Sequence, residues 1–242
     1  MNREYHRWHS HRLGRDMELL VFGHAGERVL VFPTRTGRFY DYEDWGLVDA
    51  ARSRVEAGQV QLYCLDSVDT ESFYCPWRAP ADRVRRHEDY EGYVLHEVIP
   101  LTRVLNAHPA LTAHGCSMGA FHAVNLALRH PHMICRVVGL SGRYDLTATI
   151  GPFRDLLDGY YDLGVYYHTP THFLPNLTDE GLLQPLRRAA VTLAVGASDP
   201  FLGSNQALST ALWDKGIDHR LHVWSGRAHR PTAWRPMVAQ YL

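Results

Sequence analysis

The run Gly115-Cys116-Ser117-Met118-Gly119 sets a serine midway between two glycines, at the junction of a short apolar stretch and a helix-forming one. Ala110 to Ala113 reads as a strand and Ala120 to Leu128 as a helix. A serine on so sharp a strand-to-helix turn projects its hydroxyl clear of the sheet, and glycine on either side admits the close backbone approach the turn demands. A hydroxyl is a poor nucleophile at neutral pH. It needs an imidazole to take its proton, and that imidazole needs a carboxylate to fix its tautomer. The chain supplies both, each just past an apolar run. Asp199 stands in Gly196-Ala197-Ser198-Asp199-Pro200-Phe201, and His229 in Trp224-Ser225-Gly226-Arg227-Ala228-His229. Nucleophile, acid and base in that order, each at the carboxyl end of a strand, suit attack of Ser117 on a substrate carbonyl.

The oxyanion formed by that attack needs hydrogen-bond donors. One is expected from the backbone N–H of Met118, at the start of the helix. The other is expected from the loop Pro33-Thr34-Arg35-Thr36-Gly37-Arg38, with the N–H of Arg35 or Thr36 as candidates. Rivals exist among sixteen histidines. His130 and His132 flank Pro131 and read as solvated. His6, His9 and His11 lie in a polar N-terminal arm with incidental metal affinity. His168 and His172 share helical spacing that Pro170 disrupts. His114 reads as a core or supporting residue, and Cys116 as turned away from the exposed tip. Asp145 is the alternative acid, with Asp66 behind it.

The elements that must position these groups alternate along the chain as in a mostly parallel sheet with helices on both faces. Met17 to Gly23 and Arg28 to Phe32 read as an antiparallel opening pair turned at His24-Ala25-Gly26. Trp45 to Ala57 reads as a helix stopped by Gly58, and Val60 to Leu65 as a buried strand. His87 to Leu105 reads as a helix kinked near Pro100. Arg136 to Leu140, Ala190 to Val195 and His219 to Trp224 read as strands, and Ser204 to Lys215 and Thr232 to Leu242 as helices. Residues 144–186 interrupt the rhythm with Phe153, Tyr160, Tyr161, Tyr166, Tyr167 and Phe173 among glycines and prolines. That insertion is expected to form a small lid or pocket wall, or to pack upon itself.

A length of 242 residues fits one α/β domain with a full core. The formal net charge of -1 argues against a nucleic-acid or acidic-membrane partner. Lys215 is the one lysine, and the arginines are scattered among acids. No run approaches the ~20 apolar residues of a membrane span. The N-terminus is too polar for a signal peptide, and Cys64, Cys75, Cys116 and Cys135 lack metal-site or disulfide-framework spacing, so a cytoplasmic protein with reduced thiols is expected. Oligomeric state leaves no mark in the sequence.

With elbow, acid and histidine identified, the chain from about residue 15 to its end resembles the esterase branch of the α/β-hydrolases, which includes S-formylglutathione hydrolases, enterochelin and feruloyl esterases and mycolyltransferases. The pieces that carry the resemblance are Gly115-Cys116-Ser117-Met118-Gly119-Ala120, Gly196-Ala197-Ser198-Asp199-Pro200-Phe201 and Ala228-His229-Arg230-Pro231-Thr232-Ala233-Trp234. The resemblance implies hydrolysis of a small carboxylic ester through a serine acyl-enzyme, without metal or organic cofactor. The alternatives are transfer of the acyl group to a sugar or alcohol, or a catalytically silent fold used for binding. Many relatives carry His-Gly where this chain has Pro33-Thr34, and Asp-Trp where it has Arg230-Pro231.

Overall fold

The computed structural model describes residues 1–226 and 229–242; Arg227 and Ala228, part of the terminal motif above, lie outside the described residues. In chain order the described elements are strands β1 (Arg3–Ser10), β2 (Arg15–Phe22) and β3 (Glu27–Phe32), then short helices α1 (Asp41–Asp44), α2 (Leu47–Ala50) and α3 (Arg52–Glu56). Next come β4 (Val60–Leu65), α4 (Pro80–Tyr93), α5 (Ile99–Leu105), β5 (Leu111–Cys116), α6 (Met118–Arg129) and β6 (Arg136–Leu140). The chain continues with α7 (Leu163–Tyr167), α8 (Pro170–Phe173), α9 (Glu180–Leu186), β7 (Ala190–Gly196), α10 (Leu202–Asp214), β8 (His219–Trp224) and α11 (Pro231–Tyr241).

Among the described residues the eight strands form one sheet, in the order β1-β2-β4-β3-β5-β6-β7-β8. Strands β3 to β8 are parallel to one another, and β2 alone runs against the rest. Residues along the central strands are apolar on both sides because both faces are covered. On one face Leu19, Val21, Leu30, Phe32, Tyr63 and Leu65 pack with α4, α6, α9 and α10. Their neighbours Leu20, Phe22, Val29, Val31, Leu62 and Cys64 point the other way, onto α1–α3 and α11. This is the single-domain α/β architecture expected from the sequence.

Four local expectations are corrected. The strands β2 and β3 are not a pair: β4 lies between them, with Leu19 opposite Leu65 and Val29 opposite Leu62. The turn after β2 approaches the entry to β4 instead, where a Cβ on Gly26 would lie 2.2 Å from the Gln59 carbonyl carbon. The polar N-terminal arm is a strand. It pairs with β2 from Arg3↔Phe22 to Ser10↔Arg15, and its mostly exposed polar and charged side chains guard the sheet edge. The helix expected from Trp45 is three short pieces starting at Asp41, broken where Gly46 takes φ +69°. The helix expected from His87 begins at Pro80, and widens into a π turn over Val94–Val98 before Pro100. Proline has no N–H to bond the carbonyl four residues earlier, so the ladder adjusts there.

Residues 144–186 carry α7 to α9 and irregular loops. Leu146, Leu156, Leu157 and Val165 from this segment join Phe73, Val84, Met118 and Phe121 in a third apolar cluster, beside the start of α6. Among the described residues no helix is long and apolar enough to cross a membrane.

Candidate active site

Strand β5 ends at Cys116, and α6 starts at Met118, so the whole reversal falls on Ser117. Its φ of 57° and ψ of -118° lie where L residues are strained. A Cβ on Gly115 would lie 2.3 Å from the Gly119 carbonyl carbon, and one on Gly119 would lie 2.2 Å from the Phe32 oxygen. Both flanking positions therefore require glycine. The Ser117 N–H donates to the Leu140 carbonyl at 2.8 Å, which ties the turn to β6.

Asp199 follows β7, and His229 follows β8 at the entrance to α11. The Oγ of Ser117 lies 3.0 Å from Nε2 of His229, and Nδ1 of His229 lies 3.1 Å from Oδ2 of Asp199. The structure thus brings three residues, spread over 112 positions, into one hydrogen-bonded chain. Asp199 is 4% exposed, and its Oδ1 accepts from the Phe201 N–H at 2.9 Å. The imidazole is packed by Phe201, Trp234 and Phe153, with ring centroids at 5.2, 5.4 and 6.2 Å. A carboxylate fixed at both oxygens and a ring walled by aromatics leave the imidazole little freedom to turn away.

The rival groups sit elsewhere. Asp145 Oδ1 accepts from the N–H groups of Thr147 and Ala148, and its Oδ2 faces His172 at 3.4 Å. Asp66 accepts from Arg38 at 2.8 Å. His114 is a core residue between the Tyr42 hydroxyl and the Val138 carbonyl. Cys116 points into the α11 side of the core, where burial pushes its thiol up, away from the reactive thiolate range. His130 is not merely solvated, since its Nε2 lies 2.8 Å from Glu91.

The two candidate loop donors are separated by the structure. The Thr36 N–H donates to Oδ2 of Asp69 at 2.9 Å. Arg35 lines the cleft above Ser117, together with Met118. The N–H of Met118 is in the first turn of α6, where helix geometry provides no carbonyl partner. The Thr36 N–H is thus already engaged by a carboxylate, which leaves Arg35 as the loop residue to consider as a donor. The sequence could not separate them, because Asp69 is contributed by a distant loop.

The cleft has a volume of about 380 Å³ and opens over Ser117 and His229. Trp45, Tyr74, Phe153, Phe201 and Trp234 form its apolar walls, with Arg35 and Arg143 as its charged groups. Arg143 was not anticipated from the sequence. It is 3% exposed and donates to the carbonyls of Asp145, Leu146, Ala148 and Arg154, so it organises the start of the 144–186 segment. Burial pulls its pKa below the ordinary arginine value.

Residues 10–241 match the model of the family described as "Putative esterase". The chain belongs to that esterase family. Solved structures with the same fold include a ferulic acid esterase, with 18% identity over 100% of this chain and 96% of that one, at a TM-score of 0.76. An S-formylglutathione hydrolase from Agrobacterium tumefaciens shares 14% identity over 99% and 92%, at 0.75. An S-formylglutathione hydrolase from Staphylococcus aureus shares 12% over 99% and 96%, at 0.74. No curated protein matches this esterase at the sequence level.

Proposed function

We propose that this esterase is a serine carboxylic-ester hydrolase acting through an acyl-enzyme. Ser117 attacks the ester carbonyl, His229 takes the hydroxyl proton and returns it to the leaving alcohol, and Asp199 orients the ring and stabilises its charged form. The backbone N–H groups of Met118 and Arg35 receive the oxyanion, Met118 with the added field of the α6 N-terminus. Water, activated by the same imidazole, then releases the acid.

The observation that carries this reading is the continuous chain of contacts, 3.0 Å from Ser117 to His229 and 3.1 Å from His229 to Asp199, at the floor of an open cleft. The aromatic walls favour a small ester with an apolar or aryl face. On a short p-nitrophenyl ester, Ser117→Ala is expected to lower kcat by at least ~10³-fold with the fold intact. A fluorophosphonate probe should form a stoichiometric adduct on Ser117. Near-normal turnover by Ser117→Ala, or no adduct on a folded protein, would remove the assignment. Product analysis with an added alcohol measures how the acyl group partitions between water and another acceptor.

A further inference from the structure

On the far side of α6 from its N-terminal turn lies a second group of convergent side chains. His87 and Glu91 stand one turn apart on α4, so their side chains share one face. The link between α7 and α8 brings His168 against them. One ligand atom from each of the three lies within 4.8 Å of the others. His87, Glu91 and His168 are 3%, 8% and 0% exposed.

The interior here holds unmatched polar atoms. Neither ring nitrogen of His87 has a hydrogen-bond partner among the described residues, and Nε2 of His168 faces the half-exposed Glu88 carboxylate at 3.6 Å, beyond hydrogen-bond reach. From α6 come two more such atoms, Nδ1 of His122 and Oδ1 of Asn125. The His87 ring lies 4.7 Å from that of His168 and 5.3 Å from that of His122. Folded proteins pair nearly all buried polar groups. Several unpaired ones around a single point mean that something polar belongs there.

We propose that His87, Glu91 and His168 form a structural site for a divalent transition-metal ion, zinc by its donor set, which clamps the 144–186 segment to α4. Two imidazoles and one carboxylate are donors zinc takes readily. At zinc–nitrogen distances near 2.0–2.1 Å, tetrahedral ligand atoms lie about 3.3 Å apart, so the site needs to close by roughly 1.5 Å at most. Rotation of the side chains on the two elements supplies that movement. Asn125, whose amide nitrogen is 3.1 Å from Nδ1 of His168, and His122 offer atoms for the fourth position. Arg129 and His130 hold Oε1 of Glu91 at 3.0 and 2.8 Å, and Arg129 Nε also donates to Oε2 at 3.1 Å, which orients the carboxylate; Oε2 lies 3.8 Å from Nδ1 of His168. Glu88, 48% exposed and 3.6 Å from Nε2 of His168, adds negative charge on the solvent side and offsets the nearby Arg129. The site stands apart from Ser117 and has no part in ester chemistry.

The test uses the full chain with His6, His9 and His11 replaced by Asn, which removes the surface imidazoles of the N-terminal strand and turn. Chelator-stripped protein is titrated with Zn²⁺ against a coloured competing chelator, bound metal is counted by mass spectrometry, and melting is followed with and without the ion. One zinc per chain is expected, with Kd at or below the micromolar range. At a hundredfold excess over Kd the melting temperature should rise by about 5–10 °C. His168→Gln and His87→Phe should each weaken binding at least tenfold and abolish the rise. Phe suits position 87, whose ring already packs on Phe73 at 4.6 Å and Phe121 at 5.8 Å. Should that variant not fold, His168→Gln decides. Absence of stoichiometric zinc at tens of micromolar would mean that water alone fills the cluster, and would overturn the site. Equal zinc affinity and melting shift in His168→Gln would overturn it too.

Discussion

At the scale of single residues, the acid is the position where two carboxylates compete. Asp199 touches His229 at 3.1 Å, whereas Asp145 is occupied by its own loop and by His172. Asp199→Asn keeps the shape but presents an amide where a carboxylate held the imidazole tautomer. It is expected to lower kcat by about 10²–10⁴-fold, while Asp145→Asn leaves kcat within a few-fold of the parent. The reverse ranking, measured on the same p-nitrophenyl ester, would transfer the role to Asp145. Position 36 teaches a similar lesson. Its N–H is spoken for by Asp69, so only the geometry around the loop separates it from Arg35.

At the scale of elements, one buried cation sets the cleft wall. Arg143 satisfies four carbonyls between Asp145 and Arg154, and Phe153, next to the last of them, packs on Phe201 at 4.8 Å and on His229. Methionine fills a similar volume but donates nothing, so Arg143→Met strands those carbonyls at a cost of about 2–4 kcal/mol. The melting temperature should fall on the order of 10 °C. Below the new transition kcat/KM for an aryl ester should fall as well, because the Phe153 loop is released. A variant that melts with the parent would show that the loop closes by other means. The third apolar cluster, which joins Leu146, Leu157 and Val165 to Met118 and Phe121, couples this segment to the first turn of α6.

At the scale of the whole molecule, the fully buried centre of the sheet makes stability depend on pH. His114 lies on β5, and burial pushes its pKa down to about 4, against the opposing pull of the Val138 carbonyl. The unfolded chain accepts a proton on this residue near pH 6.5 that the folded chain refuses. Its contribution is therefore whole above pH 6.5 and is lost as pH falls from there to about 4, at up to about 1.4 kcal/mol per pH unit. Urea midpoints measured across that range should fall with pH, and His114→Gln, which can still meet Tyr42 and Val138, should flatten the slope by one proton. An unchanged slope in the variant would place the pH dependence elsewhere.

The sequence alone determined what depends on local backbone and burial. Glycines two residues either side of Ser117 announce a turn that tolerates no side chain there, and the apolar runs at 60–65 and 136–140 are strands with those bounds because both of their faces are covered, while 219–224 keeps its expected bounds as a part-exposed strand at the sheet edge. Chain order then put Asp199 and His229 at neighbouring strand ends. The tertiary structure decided what depends on partners far away in the chain. Pairing of β2 with β4 instead of β3, a strand under the charged N-terminal residues, and the capture of the Thr36 N–H by Asp69 all turn on distant segments. His87 and Glu91 could be paired from helical spacing, but His168 joins them through a loop that no periodicity describes. Hydrophobic period and turn chemistry record each segment's own surroundings, whereas the meeting of segments is fixed by packing of the whole chain, which no local window contains.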